Sequence, residues 1–313
     1  MVPTTTAMTE LFEQAAKSMG IVGQDFTLPT EHDVIANGIR LHYMDWGGTG
    51  FPVIFLHGGG QTAHTWDMVA VQLRKQYRCI AVDQRNHGDS EKVATSSNAY
   101  NRDAMREDVH GLVQALGLRK FAVVGMSMGG MNTLFYAAKY HEGLQAAVII
   151  DVTPTQRFGG AARIVEMLQP VEYASFEAAI EASMKAAPGR DLARVRWGLV
   201  HALRQREDGK WVWKHQMGMN RPPQNGQPDE ETRKRMLEIQ ERGWAEVGKI
   251  DCPLLVVHGS RSQVIDTEMA ERLAKAVKDG EAVTIEGAGH TVQGDKPVEL
   301  TAQLRRFFRK AGV

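Results

Sequence analysis

Cysteine is nearly absent from this chain: among 313 residues there are two, Cys79 and Cys252. Two cysteines exclude a disulfide framework and a cysteine-based zinc site. Each falls at the start of a predicted strand, where a small buried side chain is expected. An excess of charge of either sign is also missing. Lys and Arg number 37, Asp and Glu 37, and the formal net charge is zero. Such a balance leaves no electrostatic footprint for DNA, RNA or an anionic membrane surface. No apolar run approaches the roughly 20 residues that a membrane helix needs. The opening Met1-Val2-Pro3-Thr4 has neither a basic region nor an apolar core, so no secretory signal is read there and a cytoplasmic location is expected. What remains is ordinary for a globular chain, with 43% hydrophobic and 24% charged residues, enough apolar side chain for a full core. At about 150 residues per domain, the length suggests two domains.

Residues 9–20 read as a short helix, with Thr9 as N-cap and Gly20 at the end. This helix is expected to pack on the main body, and its use in a homodimer stays open. After residue 33 the pattern becomes regular. Strands are read at 39–46, 52–56, 78–82, 120–125, 146–150, 253–257 and 281–285, and helices at 64–75, 103–116, 128–140, 267–278 and 296–310. Short continuous apolar runs alternating with amphipathic helices predict an α/β fold with a mostly parallel sheet covered on both faces. Residues 154–246 break this rhythm. They lack a clean apolar strand, read as several helices, and form an insertion between two strands.

Gly125-Met126-Ser127-Met128-Gly129 has the form G-x-S-x-G, with an apolar strand running into it and a helix running out. A strand that becomes a helix within one or two residues strains its turn residue and needs small neighbours. Ser127 therefore projects above the carboxyl edge of the sheet as a nucleophile. His57-Gly58-Gly59-Gly60 follows the strand at 52–56. A glycine loop there supplies one oxyanion-hole N–H, the other coming from the residue after the nucleophile. The donors are assigned to Gly59 and Met128, with Gly58 as the alternative register. His57 reads as a histidine that shapes this loop.

These motifs, in this order, resemble the α/β-hydrolase superfamily. His57-Gly58, Trp66, Leu73, the run Val82-Asp83-Gln84-Arg85-Asn86-His87-Gly88-Asp89-Ser90, the Gly125–Gly130 elbow and Gly287-Ala288-Gly289-His290 carry the resemblance over about residues 33–311. Asn86 replaces a glycine common in that family. The resemblance implies an eight-stranded, mostly parallel sheet with a helical cap inserted after the sixth strand. On this reading, 1–32 is an N-terminal extension with a short helix, 33–153 and 247–313 form the core, and 154–246 is the cap. It also implies His290 as the general base, with His258 as the rival. The family's usual acid position is occupied by Ser262 or Gln263, and neither carries a charge. Two carboxylates are candidates instead. Asp151 ends the strand that follows the nucleophile's helix, and a right-handed crossover returns it to the same sheet edge. Asp266 lies a few residues late, where it also suits an N-cap. Asp151 is preferred.

The insertion holds Trp197, Trp211, Trp213, Trp244, Tyr173, Phe158, Phe176, Met167, Met184, Met217 and Met219. Most should form its own core, and some should line an apolar pocket. Of Arg157, Arg163, Arg194, Arg196, Arg204 and Arg206, one or two are candidates to hold a substrate carboxylate. The expected activity is hydrolysis of a carboxylic ester or lactone through an acyl-enzyme, on a small-molecule substrate, with no metal or organic cofactor required. An amide or a C–C bond next to a carbonyl is the alternative substrate, and a perhydrolase is a weaker one. Serine at the elbow argues against dehalogenase or epoxide hydrolase chemistry, which needs a carboxylate nucleophile. The missing usual acid keeps a non-catalytic ligand-binding protein in view.

Overall fold

The computed structural model describes residues 5–93, 101–157, 171–216 and 230–313. Eight strands form one sheet: β1 (Thr30–Ala36), β2 (Ile39–Asp45), β3 (Phe51–Leu56), β4 (Tyr77–Val82), β5 (Phe121–Met126), β6 (Leu144–Ile150), β10 (Leu254–Gly259) and β11 (Gly280–Ile285). Their spatial order is β1-β2-β4-β3-β5-β6-β10-β11. From β4 onward neighbours run parallel, while β2 is antiparallel to both β1 and β4.

Side chains alternate across each strand. Val53 and Phe55 point into one core, Ile54 and Leu56 into the other. The first core is covered by α1 (Thr5–Ser18), α2 (Asp67–Leu73) and a C-terminal helix (Pro297–Lys310), through Phe12, Val69, Leu73, Leu304 and Phe308. The second is covered by α3 (Arg102–Ala115), α4 (Met128–Lys139) and helix Thr267–Lys275, through Leu112, Leu134, Phe135 and Leu273. Both faces of the central strands are thus dry, which is why they read as unbroken apolar runs.

Three local readings are corrected. The first helix begins at Thr5, so Thr9 lies inside it and bonds back to the Thr5 carbonyl rather than capping an end. Strand β1 was not read from the pattern, because its first four residues, Thr30 to Asp33, are polar and most of it is exposed. The inserted stretch also contains strands. Short strands β7 (Glu172–Tyr173), β8 (Leu203–Gln205) and β9 (Trp211–Trp213) make a small antiparallel sheet in the order β7-β9-β8. It packs with α5 (Phe176–Ala186) and α6 (Leu192–Ala202) around Ile180, Val195 and Leu199. Strands of two or three residues are too short to show a period of two.

The stretch then closes with α7 (Glu230–Val247) and returns to β10. Because β6 and β10 are neighbours in the sheet, the insertion leaves and re-enters the core between adjacent strands. Among the described residues, no helix is long and apolar enough to cross a membrane.

Candidate active site

The chain runs from β3 outward to β4 and then back to β5 on the other side of β3. Strand order therefore reverses between β3 and β5, and the carboxyl ends of strands at such a switch point flank a crevice. The loop His57–Gly60 ends β3 and Ser127 ends β5. Asp151 ends β6, one strand further.

Ser127 has φ 52° and ψ −112°, outside the regions an L-residue prefers. Such a conformation stores ~1–3 kcal/mol and persists only where its surroundings enforce it. Here they do. The Ser127 N–H donates to the Ile150 carbonyl at 2.9 Å, and its own carbonyl accepts the Met131 N–H at 2.9 Å. A Cβ on Gly125 would stand 2.2 Å from the Gly129 carbonyl oxygen, and one on Gly129 would stand 2.2 Å from that of Leu56. Only glycine lets β5, α4 and the end of β3 approach this closely.

Ser127 Oγ lies 3.1 Å from His290 Nε2. On the far side of the ring, Nδ1 lies 2.7 Å from Asp151 Oδ2. A carboxylate oxygen can only accept, so Nδ1 carries the proton and Nε2 faces the serine with its lone pair. Asp151 is fully buried and, with φ 52°, also sits in the left-handed region. Its backbone N–H is held by the Val257 carbonyl at 2.8 Å. Its Oδ1 accepts the Gly259 N–H at 3.0 Å, and its Oδ2 accepts the Ser262 hydroxyl at 2.5 Å. The residue at the usual acid position thus contributes a hydrogen bond to a carboxylate that arrives from the neighbouring strand.

Asp266 is elsewhere. It caps helix Thr267–Lys275 by accepting the Met269 N–H at 2.9 Å and pairs with Arg157 at 2.9 Å. His258 is buried at the end of β10 and faces Thr284 at 3.5 Å. His57 is fully buried, and burial holds its imidazole below the usual range, so it stays neutral. Its Nδ1–H donates to the Gly58 carbonyl at 2.7 Å, and its Nε2 accepts the Gln84 N–H at 3.0 Å.

The Gly58 N–H donates to Gln61 Oε1 at 3.0 Å, and the Gly60 N–H donates to His87 Nε2 at 3.0 Å. The N–H groups of Gly59 and Met128 have no acceptor among the described residues. The register with Gly58 as donor is therefore already occupied by Gln61. Sequence reading gave no role to Gln61 or His87, and read Ser262 only as an uncharged residue at the acid position.

The inserted aromatics are largely spent on packing. Trp197 is buried, stacks on Phe12 at 4.7 Å and donates to Asp67 at 2.9 Å. Trp211, Trp213, Tyr173, Phe176 and Met184 pack on the insertion's own core, and Trp244 donates to Thr155 at 2.9 Å. The arginines are mostly paired too: Arg157 with Asp266, Arg196 with Glu177, Arg206 with Glu172, and Arg194 with the Gly294 carbonyl. Arg204 is exposed. Phe158, Arg163, Met167, Met217 and Met219 lie outside the described residues.

Two sets of three metal-capable side chains come together among the described residues. In His64, Asp67 and His201 the two imidazoles stack at 3.4 Å with 18° between planes. His64 Nδ1 is already hydrogen-bonded to Asp67 Oδ2 at 2.8 Å. In His42, Asp83 and Asp89 the donors are committed. Asp83 accepts from Ala63, His42 and Asp89, and Asp89 pairs with Lys214 at 2.7 Å. Burial pulls the His42 imidazole down, but hydrogen bonds to Asp83 and Glu31 outweigh it and push it up to about 10, so the ring keeps both protons at neutral pH.

Fold and site geometry together define a hydrolase, and the chain belongs to the alpha/beta hydrolase fold family, whose model matches residues 52–297. It is similar to the esterase Rv0045c of Mycobacterium tuberculosis, 31% identical over 308 residues that cover 94% of this chain and 93% of the relative. The crystal structure of that esterase superposes with a TM-score of 0.74 at 28% identity, covering 98% of this chain and 99% of the other. A 2-hydroxy-6-oxo-6-(2'-aminophenyl)hexa-2,4-dienoic acid hydrolase of Metapseudomonas resinovorans is 28% identical over 90% of this chain and 92% of its own. The crystal structure of E-2-(acetamidomethylene)succinate hydrolase shares the fold, with a TM-score of 0.75 at 20% identity over 90% of this chain and 99% of the other.

Proposed function

We propose that the protein is a serine hydrolase that cleaves a carboxylic ester or lactone of a small molecule through an acyl-enzyme. The observation that carries this reading is the continuous contact Ser127 Oγ–His290–Asp151, at 3.1 and 2.7 Å, beside two backbone N–H groups with no other acceptor. His290 Nε2 takes the serine proton as Oγ attacks the carbonyl carbon. The oxygen that gains charge is met by the N–H groups of Gly59 and Met128, each such donor being worth about 2.7–4 kcal/mol in the transition state. Collapse of the tetrahedral adduct expels the alkoxide, which takes the proton from His290. Water then repeats the sequence on the acyl-serine, with His290 as base, and releases the acid. Asp151 fixes the tautomer throughout and stabilises the imidazolium.

Esters and lactones are favoured because an alkoxide leaves more easily than an amine. Likeness to an esterase supports this. Likeness to a hydrolase of a dienoic acid supports a second substrate type, a C–C bond next to a carbonyl, attacked by the same groups.

Fluorophosphonate labelling tests the nucleophile, and a panel of esters, lactones, amides and β-diketones tests the substrate. Labelling of the folded protein and ester turnover, both lost in Ser127→Ala, are expected. Absence of labelling points instead to a ligand-binding protein, and labelling that survives Ser127→Ala overturns the reading with Ser127 as nucleophile.

A further inference from the structure

We propose that Gln61 and His87 are positioning residues that aim the Gly59 N–H at the developing oxyanion. The inference rests on the serine-hydrolase reading above.

Three consecutive peptide planes run through the loop His57–Gly60, and only the middle one presents a free N–H. A glycine-rich loop has little intrinsic preference for one direction, so hydrogen bonds must fix that plane. A peptide unit is planar and trans, so the C=O of one residue and the N–H of the next point in opposite directions. Holding the Gly58 carbonyl therefore sets the direction of the Gly59 N–H. That carbonyl accepts the His57 Nδ1–H at 2.7 Å and the Gln61 N–H at 3.2 Å.

The two flanking planes are held by side-chain acceptors. Gln61 Oε1 takes the Gly58 N–H at 3.0 Å, and His87 Nε2 takes the Gly60 N–H at 3.0 Å. His87 can accept only because its other nitrogen is committed. Nδ1 lies 2.9 Å from the Arg85 carbonyl, to which it must donate, and this leaves the lone pair on Nε2. The ring is fully buried, which disfavours the protonated form that would have no lone pair to offer.

Gln61 also reaches the loop that carries His290. Gln293, buried three residues beyond that histidine, directs Nε2 to Gln61 Oε1 at 3.4 Å and to Thr65 Oγ1 at 3.0 Å. One glutamine thus ties the base's loop to the oxyanion loop. The donor and the base are held in register by side chains that need not touch the substrate.

Gln61→Met removes one acceptor, and His87→Leu removes the other. His87→Gln keeps an acceptor atom near the position of Nε2. Each variant is assayed with a p-nitrophenyl ester, and its affinity for a trifluoromethyl ketone, which forms an oxyanion on Ser127, is compared with that for an unreactive ketone of the same shape. Loss of one oxyanion donor lowers turnover about 10²–10³-fold. Misdirection of that donor is expected to lower kcat about 10–100-fold in Gln61→Met and His87→Leu, with KM within about twofold. Affinity for the fluoroketone should fall by the same factor and that for the plain ketone should not change. His87→Gln should recover most of the loss.

Wild-type kcat in Gln61→Met overturns the proposal, as does equal weakening for both ketones, or His87→Gln as impaired as a folded His87→Leu. If His87→Leu fails to fold, Gln61→Met and His87→Gln still decide. If the wild type hydrolyses the ester but Ser127→Ala does so equally well, the serine-hydrolase reading fails and the positioning role fails with it. A Ser127-dependent wild type with indifferent variants overturns the positioning role alone.

Discussion

Moving the triad's negative charge from one strand to the next is the sharpest test of the site. In Asp151→Asn the amide oxygen still accepts the Gly259 N–H, now made to Oδ1 at 3.0 Å. The amide NH2 then faces Ser262 and His290 Nδ1, which lie 2.5 and 2.7 Å from the present Oδ2. An NH2 beside Nδ1 forces that nitrogen to accept, so the proton moves to Nε2 and points at the nucleophile. A triad locked in the wrong tautomer loses about 10⁴ in kcat, equivalent to about 5.4 kcal/mol of barrier. Ser262→Asp in that background places a carboxylate next to the same imidazole from β10. A displacement of about 1 Å costs on the order of 10²-fold, so the double variant should regain about 10²-fold over Asp151→Asn. Ser262→Asp alone puts two carboxylates in one site, where they share a proton, and its activity should fall with a new pH dependence. The assay is kcat for ester hydrolysis, with circular dichroism to confirm folding. A double variant no better than Asp151→Asn would refute the reasoning. So would an Asp151→Asn within tenfold of wild type while Asp266→Asn loses activity.

Gly129→Ala drives a methyl to 2.2 Å from the Leu56 carbonyl oxygen. Backbone must move, and we expect a loss of about 3 kcal/mol in chemical denaturation; unchanged stability would mean the elbow is looser than described. His215 is partly buried, and burial, with the Lys92 ammonium adding to it, holds its imidazole down at about 4 against an ordinary 6.5. Because the folded value is the lower one, the unfolded chain takes up the proton first as pH falls. Stability from this group is complete above about pH 6.5 and is lost from there down to about 4. The thermal midpoint should drop over that window, and less steeply in His215→Leu; equal slopes in the two proteins would refute it.

Much of the core was legible because burial writes itself into sequence. Strands β3, β5, β6 and β10 lie between two dry faces and read as apolar runs. The elbow was legible because steric crowding leaves Gly125 and Gly129 no alternative. Strand β1 was not, since it is an exposed edge whose membership is decided by backbone pairing with β2. The small sheet of the insertion was missed for its brevity. The polar framework of the site was hidden for another reason. Ser262, His87 and Gln293 act on partners in other loops, and single-sequence patterns carry no record of distances across the fold. The arginines of the insertion show the same limit, because a guanidinium reads alike whether it awaits a substrate or already holds Glu177 or Asp266.

Helix Leu192–Ala202 touches more of this framework than its sequence suggests. Its Trp197 donates to Asp67, just beyond the oxyanion loop, and its Arg194 holds the Gly294 carbonyl, just beyond His290. Phe12 of the first helix stacks on the same tryptophan, with 30° between the ring planes. Residues 5–18 are thus mechanically in series with the two loops that frame the serine, although more than a hundred residues separate them from it.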